Sequence, residues 1–281
     1  MKVQANGVTT EVYVRGAGQP VLMLHGNPDS HVMWLPLIAK LRGNYRLIVP
    51  DLPGFGTSKT RADHAEVTLQ GMADWVRHVL DAMKVDRPVD LLLHDFGGVY
   101  GLAFATTYPE RVRRLVITNT VFQQDYRWHF WGRVWRKPRL GELSMALMGI
   151  PGLGKLMFGA SLRAGGPGLS KQQIAEAYRH FTPEVRQQVL RLYRATDPAN
   201  FAGWETRMLA ITAQHPTLVL WGQRDPFIAA RYADRFGAAR VERFADVGHW
   251  VVVEAADRVA RLIDEHLQPT QSNAPNESAA D

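Results

Sequence analysis

Cysteine is absent from the 281 residues. That excludes disulfide bonds, a thiolate nucleophile and thiolate metal sites, and it suits a reducing cytoplasm, the expected location. No apolar run reaches the roughly 20 residues that a membrane-spanning helix needs, and residues 1–7 lack the apolar segment of a secretory signal. No membrane partner is therefore expected. A third absence concerns chemistry. There is no Gly-x-Ser-x-Gly, so a serine raised on a strand-to-helix turn has no seat in this chain.

What is present is the composition of a globular protein, with 46% hydrophobic and 21% charged residues. The net charge is +6. A basic balance permits binding to nucleic acid, yet the basic residues are dispersed. The one local cluster, Arg133, Arg136, Lys137 and Arg139, comes with no recognition motif and reads as a solvated helix face, so no nucleic-acid partner is expected. The expected partner is a small apolar substrate, taken up by a monomer or homodimer.

Short apolar runs at residues 10–15, 21–25, 45–50, 89–94, 115–119, 217–221 and 241–244 predict strands, several of them buried on both faces. Between them lie helical patterns. Residues 67–84 place Leu69, Met72, Ala73, Val76, Val79, Leu80 and Met83 on one stripe, and residues 99–108 form a helix that Pro109 ends. Alternation of this kind predicts an α/β fold with a doubly wound, mostly parallel sheet. Residues 122–215 break the alternation with an aromatic-rich, helical stretch punctuated by Ile150-Pro151-Gly152-Leu153-Gly154 and Gly165-Gly166-Pro167-Gly168. The expected organisation is a core over 1–121 and 216–267, a helical cap over 122–215 that covers the carboxyl ends of the strands, and a polar, disordered tail over 268–281.

The loops after the strands carry the chemistry. Leu93-His94-Asp95-Phe96-Gly97-Gly98 has the form of a nucleophile elbow, with small residues that let a helix pack close to its strand, and the nucleophile position holds Asp95. Taken alone, Asp95 reads first as a helix N-cap, and the nucleophile reading gains from the other loops. His25-Gly26-Asn27-Pro28 follows an earlier strand and offers the Asn27 N–H, with the Phe96 N–H, as an oxyanion hole; its plain alternative is a Gly-Asn-Pro turn. Asp225 follows the strand at 217–221, and His249 follows the strand at 241–244. The order nucleophile, acid, histidine completes a triad.

His25-Gly26-Asn27-Pro28, Asp51-Leu52-Pro53-Gly54-Phe55-Gly56-Thr57-Ser58 and His94-Asp95-Phe96-Gly97-Gly98 resemble the haloalkane dehalogenase and epoxide hydrolase branch of the α/β-hydrolase superfamily. The resemblance covers about residues 10–266. It implies Asp95 as nucleophile, His249 as base and Asp225 as the group that orients it, with no cofactor and no metal. A carboxylate nucleophile attacks an sp³ carbon without help from a base, and the histidine then activates the water that hydrolyses the ester. Carbon–halogen cleavage is the first reading of the substrate. It rests on Asn27 as a halide ligand, on Leu93, and on Trp128, Trp131 and Trp135 as indole donors in the cap. Phe96 departs from it, since dehalogenases carry tryptophan there. The second reading is an epoxide opened by tyrosine. Leu192-Tyr193-Arg194-Ala195 resembles the second-tyrosine segment of epoxide hydrolases, and Tyr126 is the candidate first tyrosine, with Trp131 as a rival for that place. A non-catalytic binding protein of the same fold is the third reading.

Overall fold

The computed structural model describes residues 1–268; the tail expected over 268–281 therefore lies outside the described residues except for Gln268. Eight strands build one sheet: β1 (Lys2–Ala5), β2 (Val8–Arg15), β3 (Gln19–Leu24), β4 (Tyr45–Pro50), β5 (Val89–His94), β6 (Val112–Thr118), β7 (Thr217–Gly222) and β8 (Arg240–Phe244). Their order is β1-β2-β4-β3-β5-β6-β7-β8. β1 and β2 join the sheet antiparallel, and every pairing from β4 to β8 is parallel. The predicted strands are all present. β1 is the one that apolar patterning does not announce, because Lys2-Val3-Gln4-Ala5 buries only Ala5 fully.

Burial explains the patterning. β5 and β7 are buried along their whole length, and β3 at all but its first residue, as strands covered on both faces must be. β2, near the edge, alternates buried and half-exposed residues. Helix α1 spans Leu35–Ile38 and α2 spans Leu69–Ala82, the latter capped by the Thr68 hydroxyl, which accepts from the Gly71 N–H. The stripe Met72, Ala73, Val76, Val79 and Leu80 is buried, and Trp75 with it. Helix α3 (Phe96–Thr107) follows β5 directly and is buried over almost every turn, packed on α2.

The segment between β6 and β7 carries helices and no strand: α4 (Phe130–Arg136), α5 (Leu140–Leu147), α6 (Leu153–Gly165), α7 (Lys171–His180), α8 (Pro183–Ala195) and α9 (Trp204–Gln214). Helices α4, α5 and α8 pack on one another and α6 packs on α7, whereas α9 lies along α3 of the core, burying Met208 and Ile211. The interval 122–215 is thus not uniform, since its last helix belongs with the layer beside the sheet. Of the basic cluster, Arg136 is structural: its guanidinium donates to the carbonyls of Tyr193 and Thr196 and pairs with Asp197, tying α4 to the end of α8. After β8 the chain closes with α10 (Val251–Glu254) and α11 (Ala256–Leu267).

The order β4-β3-β5 makes β3 and β5 neighbours from which the chain departs to opposite sides. Ligands bind at the carboxyl ends of such a switch point. The loops that leave β3 and β5 there are His25–Asn27 and Asp95.

Candidate active site

Asp95 connects β5 to α3 with φ 48° and ψ −124°, outside the regions that a non-glycine residue ordinarily occupies. Such a residue costs about 1–3 kcal/mol and persists only where its surroundings impose it. The surroundings here are close-packed. The side chain of any residue other than glycine at position 26 would meet Asp95 itself, with a Cβ 2.3 Å from the Asp95 Cβ, and at position 97 it would meet the Leu24 carbonyl at 2.2 Å. The Asp95 carbonyl accepts from the Thr120 hydroxyl at 2.5 Å and from the Gly98 N–H at 2.9 Å.

The N-cap alternative for Asp95 fails, because its side chain makes no capping bond to α3. The carboxylate instead turns to the strand ends. Oδ1 accepts from the Asn27 N–H at 2.8 Å, and Oδ2 lies 3.5 Å from His249 Nε2. Phe96 opens α3, so its N–H is among the first-turn donors that have no partner within the helix. Its ring stacks on Trp128.

His249 Nδ1 is 2.7 Å from Asp225 Oδ2, so the tautomer with the proton on Nδ1 leaves Nε2 facing Asp95. Asp225 is itself held. Its Oδ1 accepts from the N–H groups of Phe227 and Ile228, and its Oδ2 accepts from the Asn119 side-chain amide at 2.8 Å. Asn119 also exchanges hydrogen bonds with the backbone of Gly222.

The electrostatics follow from burial against these partners. Burial works against the imidazolium of His249, but the charge and hydrogen bond of Asp225, then those of Asp95, outweigh it and push the pKa up to about 10. For Asp95, burial works against the carboxylate, and the hydrogen bond and charge of His249 prevail, holding the carboxyl below its ordinary value. The resting pair is therefore carboxylate and imidazolium. His94, whose ring centroid is 4.8 Å from that of His249, is neutral: burial first, then the His249 charge, drive it down to about 3.

A cavity opens above Asp95 and His249, walled largely by apolar side chains of the helical segment. Asn27, Tyr126, Trp128, Trp135 and Tyr193 line it; Trp131 does not, and stacks on Trp135 instead. Trp131 sits on the same helix as Trp135 but four residues earlier, at a different depth of the packing. The indole nitrogens of Trp128 and Trp135 and the Asn27 side-chain oxygen are buried without hydrogen-bond partners. Tyr126 is differently placed from expectation, because its hydroxyl donates to the Phe227 carbonyl at 3.0 Å and so is already committed. Tyr193 Oη lies 3.0 Å from His129 Nε2.

Four contributors are not read from sequence. Asn119 follows β6 directly and has φ 36°, but nothing in its spacing reports a bond to a residue 106 positions away. Thr120, His129 and Asp29 are equally silent. Asp29 accepts from the Trp250 indole at 2.8 Å beside His249, and burial in the first place raises its pKa to about 6. Among the described residues no group of three or more His, Asp or Glu side chains is arranged to hold a metal ion, and no helix is long and apolar enough to cross a membrane.

Residues 19–256 match the α/β hydrolase fold family, and the chain belongs to it. Among curated relatives, it is 27% identical to a cis-3-alkyl-4-alkyloxetan-2-one decarboxylase of Shewanella oneidensis, over 98% of this chain and 90% of the relative. It is 30% identical to a 2-hydroxymuconate semialdehyde hydrolase of a Pseudomonas species, over 97% of this chain and 95% of that protein. A haloalkane dehalogenase of Agrobacterium fabrum is 36% identical over 43% of this chain and 39% of its own length. Among solved structures, epoxide hydrolase VrEH1 from Vigna radiata has the same fold, with a TM-score of 0.77 at 19% identity over 94% of this chain and 96% of that one.

Proposed function

We propose that the protein is a hydrolase whose nucleophile is Asp95, that it forms an alkyl ester on that residue, and that a water activated by His249 hydrolyses the ester. One observation carries this reading: a carboxylate on the elbow, with Oδ1 held by the Asn27 N–H and Oδ2 beside the imidazole that Asp225 orients. Asp95 Oδ2 attacks an sp³ carbon in the apolar cavity, and the bond to the leaving group breaks with its electron pair. The charge of Asp95 is then gone. His249 loses one of the two groups that hold it protonated, gives up a proton and becomes the base. It takes a proton from water as the water adds to the ester carbonyl, and the Asn27 N–H receives the developing oxyanion. Collapse releases the alcohol and restores the carboxylate.

The choice of a carboxylate also separates this reading from acyl-transfer chemistry on a carbonyl carbon. Attack there by Asp95 yields a mixed anhydride, whereas attack at an sp³ carbon yields an ordinary ester. A relative that hydrolyses 2-hydroxymuconate semialdehyde is accordingly a weaker guide to the substrate than those named for oxetanones, epoxides or haloalkanes.

For the leaving group we place a strained oxygen ring first. Tyr193 lines the cavity with a hydroxyl near Asn27, and Phe96 supplies no indole donor next to Asp95. This reverses the order that the sequence suggests. The haloalkane reading remains second, favoured by the unpartnered indole N–H groups of Trp128 and Trp135 in the cavity wall.

The test uses His249→Gln, in which alkylation proceeds and hydrolysis does not. The variant is incubated with styrene oxide, a cis-3,4-dialkyl oxetan-2-one or 1-bromobutane. Mass spectrometry then finds the corresponding adduct on the Asp95 peptide. Absence of an adduct with all three, in a folded variant, removes Asp95 as nucleophile. Which reagent labels the protein decides the leaving group.

A further inference from the structure

His129 stands immediately before α4, in the cavity wall, away from the strand-end turns that carry Asp95, Asp225 and His249. Its two ring nitrogens have different partners. Nδ1 accepts the Gly132 N–H at 3.3 Å, as the N-cap of α4. A nitrogen that accepts carries no proton, so in the neutral ring the proton is on Nε2. Nε2 lies 3.0 Å from Tyr193 Oη and therefore donates to it. The ring is neutral at working pH, because burial pushes it down to about 4. Phe227 and Trp135 pack against its faces and edge and hold it in place.

The consequence falls on Tyr193. Its hydroxyl oxygen accepts from His129, and there is no lone pair on Nε2 to receive its proton. The phenolic O–H is left to point elsewhere. Beside it stand the Asn27 amide, whose oxygen has no partner, and the cavity that holds Asp95. We propose that His129 is a positioning residue: by donating Nε2–H to Tyr193 it directs the phenol proton into the cavity and makes Tyr193 the acid for an oxygen leaving group. The inference rests on the Asp95 nucleophile and names the class of substrate that site takes.

Asp95 Oδ2 forms a bond to a ring carbon of an epoxide. The carbon–oxygen bond breaks with its electron pair on oxygen, and that oxygen takes the Tyr193 proton. The tyrosinate so formed keeps the His129 N–H as a hydrogen bond, which strengthens as charge develops on the acceptor. Once Asp95 is an ester, His249 releases its proton, and the cavity water relays that proton to the tyrosinate. A bromide leaves without a proton and needs none of this.

The experiment compares His129→Phe, which keeps the ring and removes both nitrogens, with His129→Gln, which keeps a side-chain N–H donor. Single-turnover alkylation of Asp95 is followed by rapid quench with styrene oxide and with 1-bromobutane, and circular dichroism checks the fold. The expected result is that the ratio of epoxide to bromide alkylation rates falls by about tenfold or more in His129→Phe, and that His129→Gln recovers most of the ratio. An unchanged ratio, or the same fall in both variants, overturns the positioning role while leaving the nucleophile in place. No Asp95 adduct from either reagent in folded His249→Gln overturns the nucleophile itself, and this inference with it. A general packing role for His129 slows both reagents together and leaves the ratio where it was.

Discussion

Replacing Asp95 by Asn should return His249 to neutrality near pH 7. Two carboxylates hold the imidazolium, Asp225 at 2.7 Å and Asp95 at 3.5 Å. At 3.5 Å and an effective dielectric of about 20, one unit charge contributes on the order of 5 kcal/mol, equivalent to about 3.5 in pKa. Starting from about 10, His249 should titrate near 6.5 in the variant, within about one either way. The same arithmetic applies to the alkyl ester, which is also neutral at that position, so the variant reports the state in which the base must work. The assay is a pH titration of the histidine Cε1 carbons by NMR in the unaltered protein and in Asp95→Asn, with the His249 signal assigned from its loss in His249→Gln. An imidazole that titrates at the same pH in both proteins refutes the reasoning. Asp95 would then not be what keeps His249 charged, and esterification could not create the base.

Gly26→Ala brings a Cβ within 2.5 Å of Asp95 Oδ1 and should abolish alkylation while costing only a few kcal/mol of stability, read from adduct formation and a urea melt; normal alkylation would show that Asp95 has room to move. Asn119→Ala removes the amide that donates to Asp225 and should slow ester hydrolysis by about tenfold, with alkylation altered far less, because only the second step needs an oriented base. Equal slowing of both steps in a burst experiment would count against that division. Acidification should weaken the fold between pH 6.5 and 4. His25 and His129 have folded values of about 4 and His94 of about 3, against about 6.5 in the unfolded chain, so the unfolded state binds more protons across that window and stability is lost as pH falls. Each contributes up to about 1.4 kcal/mol per pH step, and a urea midpoint that does not move between pH 7 and 4.5 would contradict this. His249, raised above its unfolded value, adds no slope in that window; its share of stability is lost only as pH climbs toward 10.

Much of the architecture is written locally. Runs such as Leu91-Leu92-Leu93 and Leu218-Val219-Leu220 become strands because nothing but a two-faced interior can bury them, and the breaks that follow fall at strand ends because Gly and Pro interrupt the run. Since those ends converge in any parallel sheet, His25-Gly26-Asn27, Asp95, Asp225 and His249 are legible as one site from their order alone. β1 was hidden, because Lys2-Val3-Gln4-Ala5 owes its pairing to β2 and not to its own apolar content. Asn119 was hidden because its bond to Asp225 spans the whole helical segment.

The sequence by itself determined seven of the eight strands, the turn that carries Asp95 and the residue types at the strand ends, since each depends on spacing within a strand or on the single turn that follows it. Only the tertiary structure decided how the helical roof meets that site. It sent the Tyr126 hydroxyl to the Phe227 carbonyl, put Trp131 outside the cavity, and set His129 against Tyr193, 64 residues away. Those choices are made by helices packing on one another through apolar contacts, which carry no direction. The polar tips they bring together are therefore recorded in the packed molecule and in no local pattern of the chain.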